Sequence, residues 1–233
     1  MDLTKLFQQT HVKALIFDMD GVLIDSEPVH LCAFQKFFQE YGIEYTEADN
    51  GEFLGQKDIE IADQLIARYE LPLTREQVVA KKEEAFQSLI IANPVARDGL
   101  IETLEAAARL QLKLAVASSA TLGSIKLIVN VLDIRKYFHS LTSGDEVQNG
   151  KPAPDVYLLA AERLGVPPQN CLVIEDTDAG VQAAKSANMR CIAIPCDATR
   201  HQEHRLADLK LESLLQLRLE AHWRSAPDEV ESQ

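Results

Sequence analysis

Apolar and polar positions change rhythm twice along this chain. The run Val12-Lys13-Ala14-Leu15-Ile16-Phe17 reads as a buried strand, and it stops abruptly at Asp18-Met19-Asp20-Gly21. From Pro28 to about Asn93 the rhythm is helical, with no convincing strand. Leu31, Phe34, Phe38 and Tyr41 recur at helical spacing, with Gly42 placed to end the helix. Ile59, Ala62, Ile66 and Tyr69 form a second stripe. Thr74 and Gln77 form a capping-box pattern opening a third helix, with Val78, Ala85 and Leu89 on its apolar face. After Pro94, helices alternate with short apolar runs. A helix near Gly99–Leu110 leads into a strand at Leu112–Ala117, and a helix at Leu122–Leu132 leads to Phe138–Thr142. Pro154 opens a further helix that Gly165 ends. Cys171–Ile174 and Arg190–Ile194 read as strands around a helix at Asp178–Ala187, and Ala207–Leu211 as a weak last strand.

Strands alternating with helices predict an α/β fold with a parallel sheet and right-handed crossovers. The simplest arrangement is a doubly wound, Rossmann-like core interrupted after its first strand by an α-helical insertion. The core is expected over residues 1–27 and 94–233, and the helical domain over 28–93. The polar tail after Trp223 is expected to fray.

Composition narrows the partners. The 233 residues are 46% hydrophobic and 25% charged, as in a soluble globular protein. The formal charge of −13 repels nucleic acid and anionic membranes, so neither is an expected partner. No apolar run reaches the roughly 18–20 residues needed to span a bilayer, and residues 1–11 lack a signal-like pattern. A cytoplasmic monomer is expected. Cys32, Cys171, Cys191 and Cys196 match no zinc spacing and are expected to be buried thiols.

Polar residues at or just past the strand ends carry the chemistry. They are Asp18 with Asp20, Ser118 with Ser119, Lys151, and Glu175 with Asp176. In a parallel sheet these ends share one rim, where ligands bind. One or two carboxylates with a phosphate and water suit Mg²⁺, which prefers oxygen donors. An Asp nucleophile can form an aspartyl-phosphate, and a second carboxylate can serve as general acid and base. Lysine and hydroxyl donors can hold phosphoryl oxygens. Taken singly, Ser118-Ser119 or Glu175-Asp176 would read as helix caps, and Lys151 as a solvated turn residue; the set favours function. The acids at Glu102–Glu105 and Asp228–Glu231 read as solvated faces.

This set resembles the haloacid dehalogenase superfamily at all four of its motifs. These are Asp18-Met19-Asp20-Gly21 with the turn to Glu27, Ala117-Ser118-Ser119, Lys151-Pro152-Ala153-Pro154-Asp155, and Ile174-Glu175-Asp176-Thr177. The resemblance implies Asp18 as nucleophile and metal ligand, and Asp20 as general acid/base with its carbonyl on the metal. It implies Ser118 and the Ser119 N–H as phosphate holders, Lys151 bridging phosphate and nucleophile, and Glu175 and Asp176 completing the Mg²⁺ shell. The eponymous dehalogenases lack the second acid of the first motif, so Asp20 favours phosphate chemistry. The helical insertion lies where this family places its first type of cap. Gly55-Gln56-Lys57 resembles the substrate-contacting cap loop of the β-phosphoglucomutase-like branch, with lysine where members often carry arginine. Ser26 and His30 match positions which that branch uses near the cap hinge, although His30 reads equally as a packing histidine.

The expected function is a Mg²⁺-dependent phosphatase acting on a small phosphorylated metabolite, a sugar phosphate foremost, through an aspartyl-phosphate. The alternative is a phosphomutase of the β-phosphoglucomutase type. A phospho-accepting signalling module also combines acid, hydroxyl and lysine. Such modules are about half this length and place the acceptor on a middle strand.

Overall fold

In a computed structural model, residues 2–53 and 58–223 are described. Elements along the chain are α1 (Leu3–Thr10), β1 (Ala14–Phe17), α2 (Glu27–Gln39), α3 (Glu47–Gly51), α4 (Asp58–Tyr69), α5 (Arg75–Ala92), α6 (Leu100–Arg109) and β2 (Lys113–Ser118). They continue as α7 (Leu122–Val131), β3 (Ser140–Ser143), α8 (Asp155–Leu164), β4 (Cys171–Glu175), α9 (Asp178–Ser186), β5 (Arg190–Ala193), β6 (Leu209–Lys210) and α10 (Leu219–Trp223). They form two compact units. One comprises residues up to Asp25 and from Val95 onward, and the other is Ser26–Pro94.

The first unit is an α/β sheet of six parallel strands in the order β3-β2-β1-β4-β5-β6. All four residues of β1 are buried, because a central strand of a parallel sheet is covered on both faces. Alternate residues of four strands line one face: Ala14 and Ile16, Ala115 and Ala117, Cys171 and Val173, Cys191 and Ala193. They pack with Tyr157, Ala160 and Leu164 of α8 and with Val181 and Ala184 of α9. The chain runs outward from β1 in one direction to β3, then returns to the other side of β1 with β4. Ligands in doubly wound sheets bind at such a reversal, outside the C-terminal strand ends.

The helical unit buries an aromatic cluster of Phe34, Phe37, Phe38, Tyr45 and Phe53 with Ile61, Leu65, Leu71 and Val78. Phe38 and Tyr45 stack with centroids 4.9 Å apart. Thr74 and Gln77 cap α5 reciprocally, as their spacing predicts. Gly42 follows α2 with φ 67°, a conformation that favours glycine.

Several expectations need correction. Residues 3–10 form a helix that the alternation of strands and helices did not call for; it buries Leu3, Leu6 and Phe7 and is capped by Asp2. The third strand starts at Ser140, not Phe138, because Arg135–Tyr137 closes a 3-10 turn first. The short helix α3 was not foreseen. Cys32 is exposed on α2, while the other three cysteines are free and buried. Ser26 and Glu27 fall in the helical unit. The loop 55–57, including Lys57, and the tail after Trp223 lie outside the described residues.

Candidate active site

Asp18 is the first residue after β1, and its N–H continues the ladder to the Ile174 carbonyl at 3.0 Å. Glu175 ends β4, the neighbouring strand, and Asp176 follows. The reversal of strand order thus sets two strand ends side by side, each finishing in carboxylates. Ligand oxygens of Asp18, Glu175 and Asp176 lie within 4.8 Å of one another, and all three residues are buried. Lys151 comes from the loop before α8. Its Nζ lies 2.7 Å from Asp18 Oδ1 and 2.7 Å from Glu175 Oε1. Four predicted site residues from three chain segments therefore converge.

Glu175 is fully satisfied. Oε1 also accepts from the Tyr157 hydroxyl at 2.8 Å. Oε2 accepts from the N–H groups of Asp176 and Thr177 at 2.7 and 2.8 Å, and from the Thr177 hydroxyl at 3.0 Å. Thr177 also caps α9 through the Gly180 N–H. Burial alone would push the Glu175 carboxyl up, but the Lys151 ammonium and these donors hold it below the usual range.

Asp18 and Asp176 differ. Burial pushes the Asp18 carboxyl up, and the neighbouring carboxylates add to that effect against Lys151. Burial, then Glu175, pushes Asp176 up to about 7. Burial opposes the charge on Lys151, but Asp18 and Glu175 hold it protonated. Asp176 Oδ2 accepts from the Thr199 hydroxyl at 3.1 Å and the Cys196 thiol at 3.4 Å. Oδ1 is buried without a hydrogen-bond partner among the described residues. Three carboxylates face one ammonium, and an oxygen stands unsatisfied: this all-oxygen donor set fits a hard divalent cation.

Two glycines make room for these carboxylates. Gly21, at φ 73°, lies so close to Asp176 that an added Cβ would sit 2.1 Å from Oδ2. At Gly180 an added Cβ would sit 1.5 Å from Glu175 Oε1.

The remaining predicted residues are placed as follows. Asp20 is half-buried in the tight turn after β1, where Leu23 N–H donates to the Met19 carbonyl. Ser118 ends β2 and is buried; its hydroxyl accepts from the Ala120 N–H at 3.1 Å. Ser119 is exposed. The Ser143 hydroxyl, on the adjacent strand, donates to the Ala120 carbonyl at 2.7 Å and so braces this turn. Thr121, not Ser118 or Ser119, caps α7. Ser26 and His30 belong to the helical unit, where His30 stacks on Phe86 with centroids 4.3 Å apart. Sequence reading missed Tyr157, Ser143, Cys196, Thr199 and His204. Only Tyr157 carried a signal: a phenol on the buried face of a helix needs a partner for its hydroxyl.

Residues 15–194 match the family model for haloacid dehalogenase-like hydrolases. The chain belongs to that family. A phosphorylated carbohydrates phosphatase of Thermotoga maritima is 37% identical over 185 residues, covering 78% of this chain and 84% of that protein. CbbY from Rhodobacter sphaeroides, solved in complex with phosphate, superposes with TM-score 0.80 at 30% identity, covering 89% of this chain and 96% of that one. A putative β-phosphoglucomutase from Thermotoga maritima superposes with TM-score 0.81 at 31% identity, covering 90% and 99%. The β-phosphoglucomutase-like branch is thus among the structural neighbours, and the α/β fold is the one this family uses. No helix among the described residues is long and apolar enough to cross a membrane.

Proposed function

We propose that this haloacid dehalogenase-like enzyme hydrolyses a small phosphorylated carbohydrate, using Mg²⁺ and an aspartyl-phosphate on Asp18. The chain is a phosphoric monoester hydrolase; the substrate class, the ion and the intermediate are what is proposed. One observation carries the reading. Lys151 Nζ bridges Asp18 Oδ1 and Glu175 Oε1 at 2.7 Å each, beside an Asp176 oxygen that has no hydrogen-bond partner among the described residues.

Asp18, Glu175 and Asp176, with the carbonyl of Asp20, are the residues that would hold the ion. A bound divalent cation supplies positive charge that offsets repulsion between a carboxylate nucleophile and an anionic phosphate. Asp18 attacks phosphorus through a carboxylate oxygen, and the bond from phosphorus to the sugar oxygen breaks. Asp20 gives its proton to that leaving oxygen. Asp20 then takes a proton from the water that attacks phospho-Asp18, which releases phosphate and restores both groups. Lys151 stays protonated and places positive charge beside the nucleophile, and the hydroxyl of Ser118 and the N–H of Ser119 hold phosphoryl oxygens.

The helical unit is the proposed cap, choosing the substrate through Lys57, with Ser26 and His30 near its hinge. A cytoplasmic monomer is the proposed form; a reducing compartment suits three buried free thiols. The test is phosphate release from a panel of sugar phosphates by the purified protein. Turnover is expected to need added Mg²⁺ after chelation and to vanish in Asp18→Asn. Metal-independent turnover or an active Asp18→Asn protein would refute the mechanism. Likeness to a putative β-phosphoglucomutase supports a second reading, in which the phosphoryl group returns to a sugar. Isomer interconversion without net phosphate release would replace hydrolysis with that reaction.

A further inference from the structure

The loop after β5 has no part in the chemistry above, yet it grips Asp176 at two points. Thr199 and Cys196 both reach Oδ2 of the carboxylate. The Thr199 hydroxyl accepts from the Cys196 N–H at 3.0 Å. Its single proton then has three acceptors in range, Asp176 Oδ2 at 3.1 Å, the Cys196 sulfur at 3.4 Å and the Cys196 carbonyl at 3.5 Å, and the carboxylate is nearest and charged. At the other point, His204 Nε2 lies 2.6 Å from the Asp176 carbonyl. A carbonyl only accepts, so Nε2 carries the proton. Nδ1 is left as acceptor, and Lys210 Nζ stands 3.4 Å from it. The His204 N–H in turn donates to Asp178 Oδ1 at 2.8 Å. Thr199 and His204 are both buried.

The consequence lies in what this grip leaves over. Both side-chain donors fall on one oxygen, and Gly21 admits that oxygen by lacking a Cβ. A carboxylate free to rotate would exchange its two oxygens. Here Oδ2 is occupied, and Oδ1 is the one with no protein partner among the described residues.

We propose that Thr199, seconded by Cys196, is a positioning residue that locks the Asp176 carboxylate with Oδ1 committed to a divalent cation. The inference rests on the reading of Asp176 as a metal ligand. Thr199 touches neither substrate nor metal and acts only through Asp176. Outer partners of this kind tune metal affinity by about 10–100-fold.

The test is Mn²⁺ binding to the full-length protein without substrate, followed by the electron paramagnetic resonance signal of free Mn²⁺. Thr199→Val keeps the shape and removes the hydroxyl; it is expected to weaken Mn²⁺ binding about tenfold. Thr199→Ser restores the donor and is expected to bind within about twofold of the unaltered protein. Cys196→Ala, expected to weaken binding by about two- to threefold, gives an independent reading if Thr199→Val fails to fold. Unchanged affinity in Thr199→Val, or in Cys196→Ala where Thr199→Val does not fold, overturns the positioning role. Asp176→Asn separates the two readings. If it binds Mn²⁺ as tightly as the unaltered protein, the metal site itself is misassigned. If it loses binding while Thr199→Val and Cys196→Ala do not, only the positioning role fails.

Discussion

The Tyr157 hydroxyl donates to the same Glu175 oxygen that accepts from Lys151, so one carboxylate oxygen serves two buried donors. The Lys151 Nζ also lies 4.9 Å from the Tyr157 ring centroid. Tyr157→Phe removes one donor from a buried ionised group while keeping the packing. A hydrogen bond to a charged group contributes about 1.5–3 kcal/mol, so a loss in that range is expected in urea unfolding of the metal-free protein. Turnover is expected to fall less than in a Lys151 variant, since the ammonium still holds the oxygen.

Lys151→Met removes the only described cation in contact with Asp18 and Glu175. Two buried carboxylates then lose their counter-charge, and breaking such a pair from one side costs about 3–5 kcal/mol. Loss of a preorganised charge at the reacting phosphoryl group is expected to cut kcat by at least about 100-fold. Steady-state phosphate release, with circular dichroism confirming the fold, checks this.

Gly180 lies inside α9, where Gly→Ala ordinarily stabilises by about 1 kcal/mol. Here the added Cβ would meet Glu175 Oε1 at 1.5 Å, so sterics overrule propensity. Gly180→Ala is expected to lower the melting temperature and to abolish turnover. A protein that melts higher than the unaltered one would refute the close approach.

His30 gives the helical unit a pH dependence. Burial, with the Lys82 ammonium adding to it, holds the imidazole well below its ordinary 6.5, and its Nδ1 is buried without a hydrogen-bond partner among the described residues. Below pH 6.5 the unfolded chain takes up a proton that the folded one refuses. Stability is therefore full above about 6.5 and falls as pH drops towards the depressed value, by at most about 1.4 kcal/mol per unit. Melting curves at pH 7.5 and 5.5 should differ more for the unaltered protein than for His30→Gln, whose side chain does not titrate in this range.

The inner strands β1, β2, β4 and β5 were easy to read in the sequence because nearly all their residues are buried and so form apolar runs, whereas polar β3 and the short edge strand β6 were not. The acids closing β1 and β4 stood out because they interrupt those runs. Capping boxes such as Thr74 with Gln77 are local and legible for that reason. The α1 helix was legible in principle: Asp2, then Leu3, Leu6 and Phe7, is a cap followed by a helical stripe. Thr199 and Cys196 were not, since their partner lies some twenty residues away and a loop has no period. The aromatic side of Tyr157 reads as core, and its hydroxyl contact depends on how α8 packs against the sheet.

The sheet order also sets when this site can exist. Asp18 directly follows β1, and Lys151 is 133 residues further on. β1 and β4 are neighbours in the sheet although the whole helical unit and the strands β2 and β3 lie between them in the chain. Such long loop closures are slow and come late in folding. A nascent chain or proteolytic fragment ending before β4 therefore carries Asp18 without Glu175 and Asp176, the two carboxylates that complete its acidic cluster.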